Sequence, residues 1–567
     1  GFPYLGNEGL DKPFIGFHKA RCAMDAYVCP IFIEDKFPQA NFQAFAPGVV
    51  EKIDPLFEAE HIPGAQCVGK WQGRAFTSPP VSSYFPSPAF GLKDKYEHKY
   101  PAPLSSKAAH NRNVVTSNFG PTPLETPEAL KRPDFPKGFV KLPRICYHYD
   151  FQTALFGDPA RGISSFASSS KFAGYAFDGT KKDVVNFATG WYHEDLEKRV
   201  NQYLELSKTD AVTPLTHQFT KDELLDVEKV KNGLPRIING HDLAYNVFLR
   251  MIFGDMIDLV TKHPTQNACC IGINPLSHQW RMIKEKSSFE FAPNNILDGD
   301  LSKQEASTSH YFADSFGKLV TSLYDLDDEQ YRMTINAVAG LNGYLFVYSN
   351  HVYSAMRGHS SGHFLTAFYN SYQVWAGHKC VFLTVHPDLV FEDFVKLVVM
   401  GDDSRGGVHP AVEDTYNMQV IAHYFKELFG MKYTGPNKDA QVPKFVDPKD
   451  DVFLGRDFFQ DADGNVLGRL RKVAIHDMLI WLTKVPGVPA KRVIQERADM
   501  AFLEMSLYSS QDYQALKKDY LSHFDRHSAK KPQVKTWNEN RTRLLSNWNG
   551  SDFAPSYPDM GIHSQTI

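Results

Sequence analysis

The chain has 567 residues, 43% of them apolar and 22% charged, which is the profile of a folded protein long enough for several subdomains. No stretch approaches the ~20 consecutive apolar residues of a membrane span. The seven cysteines form no CxxC, which excludes a zinc module or a disulfide frame and favours reduced thiols. A formal net charge of -4 speaks against a uniformly basic nucleic-acid binder, but from Gly468 onward 15 Lys and Arg stand against 10 Asp and Glu. A local basic surface suffices if it lines a channel. The start, Gly1-Phe2-Pro3-Tyr4, lacks the basic and apolar regions of a signal peptide. Gly1 in place of Met is read either as the new end of a cleaved precursor or as a cloning remnant.

Residues 1–140 are rich in Pro and aromatics, with little periodicity. They read as irregular, extended chain that needs a scaffold to pack on. The run Lys221-Asp222-Glu223 through Lys229, Gly233 and Arg236-Ile237-Ile238 reads as a charged hairpin leading into a β-like segment. Its spaced cations suit a triphosphate, although such a hairpin is more often merely solvated. From Asp242 to Val260, apolar residues at helical spacing predict a helix.

Ile296-Leu297-Asp298-Gly299-Asp300 reads as a strand ending in acids. Asp298 and Asp300 are two apart and so share a face, which leaves either able to act with a partner acid. Ser360-Ser361-Gly362 opens a helix on which Thr366 and Asn370, four apart, share one face. A hydroxyl and an amide so placed suit a ribose; a capped surface helix is the plain alternative.

Phe394 to Asp403 predicts a strand entering a tight turn, with Gly406-Gly407-Val408 on the return, so that Asp402 and Asp403 stand at a hairpin tip. Adjacent carboxylates repel, and paired divalent cations are a common remedy at phosphoryl-transfer sites. Tyr416 to Phe429 predicts a helix closed by Gly430. Further helices are expected over Ala474–Leu482 and from Pro489 to Leu507. Strands in the middle and helices at the end predict an α+β fold.

Taken in order, these segments resemble the RNA-dependent RNA polymerases of picornaviruses and related positive-strand RNA viruses. The Lys221 to Arg236 run resembles motif F, and Asp300-x4-Glu305 motif A. Ser361-Gly362-x3-Thr366-x3-Asn370-Ser371 resembles motif B, and Gly401-Asp402-Asp403 motif C. The helix closing at Gly430, with Lys438 after it, resembles motif D, and Phe453-Leu454-Gly455-Arg456 motif E. Thr116-Ser117-Asn118-Phe119-Gly120-Pro121 is a looser match to motif G. The strong matches run from 221 to 456, and six motifs in order are specific where any one is weak.

The resemblance implies a right hand of fingers, palm (antiparallel sheet plus helices) and helical thumb around an encircled active site. The expected divisions are an N-terminal extension with fingers (1–252), palm (253–306), a fingers insertion (307–355), palm again (356–465) and thumb (466–567). It implies RNA-templated addition of nucleotides to a primer 3′-hydroxyl for genome replication and transcription. Two Mg²⁺ ions, for which Mn²⁺ can substitute, would be held by Asp300, Asp402 and Asp403, with Lys438 as general acid. Lys221, Lys229 and Arg236 would clamp phosphates. Glu305, Ser361, Gly362, Thr366 and Asn370 would bind the nucleotide and sense its ribose, and Thr116, Ser117 and Arg456 would contact RNA. Implied partners are template and product RNA, NTPs, a small viral protein primer and other replication proteins, in the host cytoplasm at replication membranes.

The chain departs from the pattern at Glu305, where Asp is usual, at Leu225 and Leu234, where basic residues are common, at Met400 for Tyr and at Gly455 for Lys. Reverse transcriptase, two-metal nuclease and non-catalytic RNA-binding protein are the competing readings.

Overall fold

The computed structural model describes residues 50–51, 65–71, 81–117 and 126–548, less short gaps at 144, 146–147, 167–172, 175–176, 178, 214, 305–310, 350, 356–357, 439–440, 528 and 547. Its centre is an antiparallel hairpin, strands Val395–Met400 and Asp403–Val408, joined by Gly401 and Asp402. Gly401 takes a left-handed φ of 63°, as a two-residue hairpin turn requires. The turn comes one residue earlier than the sequence implied: Asp403 already opens the return strand, opposite Met400.

Strand Ile296–Leu297 pairs antiparallel with the return strand and completes a three-stranded sheet. The chain then changes partner. Asp300–Leu301 pairs with Tyr433–Thr434 instead, so the single strand expected over 296–300 is two short ones. The break falls at Gly299, where a Cβ would overlap the Tyr433 ring.

Two helices cover this sheet. Thr366–Val385 is buried almost all round, as befits a helix running through a core. Met418–Phe429 is capped by Asn417, whose side chain accepts from Gln419 N and Val420 N, and by Gly430 at φ 60°. The helices meet at Gly377, where a Cβ would strike the Phe425 ring.

A second, six-stranded sheet runs in the order 50–51, 65–71, 351–355, 344–348, 215–220 and 237–241. Its Tyr344–Tyr348 and His351–Ala355 strands come from the expected fingers insertion. They join the N-terminal strands through a parallel pairing with Leu215–Thr220. Insertion and N-terminal part therefore form one unit. The helix Leu243–Lys262 runs straight through the expected 252/253 division, because it is buried along its length and cannot be cut there. The 465/466 division falls inside the small hairpin of Phe459–Gln460 and Val466–Leu467.

The C-terminal helices Lys472–Ile480, Ala490–Met505 and Ser510–Arg526 pack around their own apolar cluster, which takes in Ala89 and Leu92. The first helix ends two residues sooner than its apolar run suggested. Trp481–Thr483 is a strand, because Tyr84–Pro86 is there to pair with it. A few residues on, Lys99–Pro101 pairs with Leu224–Asp226. Residues 84–101 thus tie the C-terminal helices to the charged hairpin, and this is the scaffold the Pro-rich segment needed.

His378, in the middle of Thr366–Val385, is fully buried against Phe425 and Tyr433 and donates from Nδ1 to the Val374 carbonyl. Burial lowers its pKa from 6.5 to about 4. The unfolded chain therefore binds more protons between those values. Stability is full above about 6.5 and is lost as pH falls toward 4, by about 2 kcal/mol at about pH 5 for one such ring. His378→Leu is expected to shrink the fall in melting temperature between about pH 7.5 and about pH 5. An unchanged fall would refute the assignment.

Candidate active site

The acids converge from three directions. Asp402 sits in the hairpin turn, Asp403 opens the return strand, and Asp300 opens the strand beside Tyr433. Burial first, and then Asp402 and Asp300, raise the Asp403 carboxyl to about 7 against the opposing pull of the Leu454 amide, so both neighbouring acids bear on it. Asp298, set aside in favour of Asp300, is also here. It is 6% exposed and raised to about 8, first by burial and then by Asp403. Among the described residues no three His, Cys, Asp or Glu are gathered into a closed metal cage. The donors are nonetheless carboxylate oxygens, which hard divalent cations prefer, and their mutual repulsion is what such a cation relieves. In donor chemistry the set fits such a cation.

The acids are held from behind. The Leu454 N–H donates to Asp403 Oδ2 at 2.7 Å and the Val452 N–H to Asp298 Oδ2 at 3.2 Å. The segment that carries both amides is fixed by Asp451, which accepts two bonds, 2.7 and 2.6 Å, from Arg405. Arg405 is buried on the return strand itself and also donates to Ser287. Nothing local in the sequence signals this pair, since an Arg after Asp-Asp-Ser reads as surface. The turn is held from the helix side, where the Gly401 N–H donates to Ser371 Oγ at 2.8 Å.

The motif-B loop is pinned to the strand Ile237–His241. Asn239 donates to Ser361 Oγ at 3.4 Å, and the Phe364 N–H donates to Asn246 at 2.9 Å. Gly362 has φ 91°, and a Cβ there would lie 2.7 Å from the Asn239 carbonyl oxygen. Thr366 begins the helix and Asn370 follows one turn on, as the spacing implied. The Thr366 hydroxyl is buried without a hydrogen-bond partner among the described residues. Glu305 lies outside the described residues.

The cations form a second group. Lys221 lies 3.5 Å from Glu223, Arg236 is bidentate with the same carboxylate, and Lys229 lies 3.9 Å from Asp226. The Lys229 pKa is lowered first by burial and then by Lys438, with Arg112 and Arg236 adding to it. Lys438 therefore shares the field of the clamp, as expected. Arg112, from the helix Ser106–Ser117, was not foreseen, because it sits in a stretch with no legible pattern. It also depresses Lys303, after burial. Thr116 and Ser117 end that helix; residues 118–121 of the motif-G match lie outside the described residues.

Arg456 corrects an expectation. It is 6% exposed, bonded through both terminal nitrogens to the buried Glu504 at 2.8 and 2.7 Å and to the Gly468 carbonyl. A guanidinium committed in this way joins the turn to the helix Ala490–Met505 and does not reach for RNA.

Known proteins share these features. The family described as viral RNA-dependent RNA polymerase matches residues 152–519. The chain is 28% identical over 320 residues, 54% of its length, to the RNA1 polyprotein of Beet ringspot virus. It is 24% identical over 373 residues, 63% of its length, to the RNA1 polyprotein of Raspberry ringspot virus (strain cherry). It spans only 14% and 15% of those polyproteins. Among solved structures it resembles the Sicinivirus 3Dpol RNA dependent RNA polymerase, with a TM-score of 0.71 and 17% identity, covering 85% of this chain and 98% of that one. That likeness shows the fold, the α+β right hand.

Two outcomes follow from this geometry. Arg456→Met leaves Glu504 charged and buried and is expected to cost about 3–5 kcal/mol, whereas Arg456→Met with Glu504→Leu recovers much of it. Melting curves decide; a stable Arg456→Met with weakened RNA binding would restore the RNA contact. Gly362→Ala must displace the loop and is expected to cut primer extension at least ~10-fold, while Gly401→Ala meets nothing within 4 Å and bears only a backbone strain of about 1–2 kcal/mol. Equal effects of the two substitutions in primer-extension assays would contradict the steric argument.

Proposed function

The chain belongs to the viral RNA-dependent RNA polymerase family, and we propose that it copies an RNA template by adding nucleotides from NTPs to a primer 3′-hydroxyl. The observation that carries this reading is a group of acids linked to a group of cations. Asp300 and Asp402 act on Asp403 at the hairpin tip, Lys438, Arg112 and Arg236 act on Lys229, and Arg112 also acts on Lys303, which follows Asp300 on the same segment. A nucleotide triphosphate needs both.

Asp300 and Asp402 would hold two Mg²⁺ ions, with Asp403 assisting. When bound, these supply activation of the 3′-hydroxyl and charge neutralisation at the leaving pyrophosphate. The chain's own residues do the rest. Lys221, Lys229 and Arg236 are paired in the structure with acids of their own hairpin. The Lys229–Asp226 pair is exposed and worth only about 0–1 kcal/mol, so a multiply charged triphosphate can displace it at little cost, whereas Lys221 and Arg236 share the largely buried Glu223 carboxylate. Lys438 would protonate the pyrophosphate as it leaves. Ser361, Thr366, Asn370 and Glu305 would read the ribose. Template and product RNA, a small viral protein as primer, other replication proteins and a place at replication membranes in the host cytoplasm belong to the same proposal, by resemblance alone.

Purified protein, Mg²⁺, primed poly(A) and either UTP or dTTP test it. Extension with UTP supports the reading; preference for dTTP means a reverse transcriptase, shortening of the RNA a nuclease, and binding without either a non-catalytic protein. Asp402→Asn is expected to lower extension ~10⁴-fold or more, at least ~5.5 kcal/mol of transition-state stabilisation, with RNA affinity little changed. Near-normal elongation by that variant would sink the metal assignment.

A further inference from the structure

Behind the sugar-reading end of the helix Thr366–Val385 lie buried rings that the polymerase reading leaves unused. His359 and His363 flank the Ser361–Gly362 turn, 1% and 5% exposed, and His241 from the neighbouring strand meets His363 edge-on. Burial pushes the His359 pKa down to about 4 and that of His363 well below its ordinary value, so each ring is neutral near pH 7 and carries one proton.

The position of each proton follows from one bond with a fixed direction. The Leu365 backbone N–H can only donate, and it does so to His363 Nδ1 at 3.1 Å. His363 therefore carries its proton on Nε2, which lies 3.2 Å from His359 Nδ1 and donates to it. His359 must then be protonated at Nε2, 2.6 Å from Asn370 Oδ1, and donates there. His241 is set independently: Nδ1–H donates to the Asn239 carbonyl at 3.0 Å, and Nε2 accepts from the Ser360 hydroxyl at 2.7 Å. It does not compete for the other two rings.

The relay ends on an amide whose two orientations have nearly the same shape. Only hydrogen bonding distinguishes oxygen from nitrogen at Asn370. Turned over, the side chain would face its NH₂ against the His359 Nε2–H, donor to donor, in a buried place where an unsatisfied donor is costly. We propose that His363 and His359 are positioning residues for sugar recognition: they lock the Asn370 amide with its oxygen inward, so that its NH₂ is what meets the 2′-hydroxyl oxygen of an incoming ribonucleoside triphosphate. Asn370 is only half-buried, which leaves that end of the amide within reach of a ligand. This rests on the polymerase reading and on Asn370 as a ribose reader.

The test is the ratio of kcat/KM for UTP to that for 2′-deoxy-UTP on primed poly(A). His359→Phe keeps a buried ring and removes the donor; His359→Gln keeps an N–H near the position of Nε2. His363→Asn keeps an acceptor for Leu365 but withdraws the bond to His359, a second route if His359→Phe folds poorly. The expected result is a drop of about tenfold in the ratio for His359→Phe and His363→Asn, recovery in His359→Gln, and no further drop when His359→Phe is added to Asn370→Ala. If Asn370→Ala lowers the ratio but neither histidine variant does, the relay is overturned and the ribose reading stands. Equal losses with both sugars also overturn it, since they mark a purely structural role. A ratio unmoved by Asn370→Ala removes the ribose reading itself, and the relay with it.

Discussion

Carboxylate repulsion at the hairpin tip is the constraint on which the site is built. Asp298 and Asp403 are both buried and both raised toward neutrality, with Asp300 and Asp402 close by. Buried charge is tolerated only when its lone pairs are engaged. For these two acids the structure supplies backbone amides. Val452 and Leu454 each present an N–H, and the Arg405–Asp451 pair holds the peptide that carries them. Arg405 thus serves as a brace, while its charge also opposes the rise at Asp298. A lysine or arginine placed directly between the acids would neutralise them and occupy the position that hard cations and phosphate need. Leaving Leu454 at φ 53° and Gly455 at φ 72° is part of the cost of turning those amides inward.

The two sides of the site are built differently for a physical reason. Asp298 and Asp403 are each held by a backbone amide, and with the half-buried Asp300 and the exposed Asp402 they are carried on strands and turns tied to the core. Lys229 stands in an exposed pair with Asp226, whereas Lys221 and Arg236 share the largely buried Glu223 carboxylate. Under the proposed function, rigidity suits the acids that would hold metal, and an easily exchanged pair suits the Lys229 that would grip a triphosphate. The exposed hairpin still needs a fixed position, and the strands Lys99–Pro101 and Tyr84–Pro86 supply it by linking it to the C-terminal helices.

What was legible in the chain was local. The hairpin, the helices and their caps rest on residues within a few positions of one another, and within the structure Lys438 acts on Lys229 while Asp300 and Asp402 act on Asp403. What escaped was pairing across long separations. Arg456 looks like a lone exposed cation until Glu504, 48 residues later, is seen to close on it. Arg405 looks like surface until Asp451 faces it. Arg112 has no pattern at all, and Asp298 was read as a rival to Asp300 when both are present in the site. The helix expected through Leu482 stopped early because a strand from residues 84–86 offered Trp481 a partner, and tertiary pairing outweighs local propensity.

One short strand sets the spacing between Arg236 and the Ser361–Gly362 loop. Ile237–His241 begins directly after Arg236, at the clamp, and ends at the residues that hold the motif-B loop. Asn239 and His241 are two apart and lie on one face of the strand, so both reach the loop, one through Ser361 and the other through Ser360. The register is fixed by five consecutive pairs with Leu215–Thr220, from Thr216 opposite His241 to Thr220 opposite Ile237. A slip of one residue would turn both side chains away from the loop while leaving the clamp cation on the same hairpin. The spacing between Arg236 and the loop at Ser361 is therefore set by sheet register rather than by either loop. That explains why residues as dissimilar as Thr216, Asn239 and Gly362 are bound into one rigid unit, with Thr216 bonded to the Asn239 amide and Gly362 leaving room for its carbonyl.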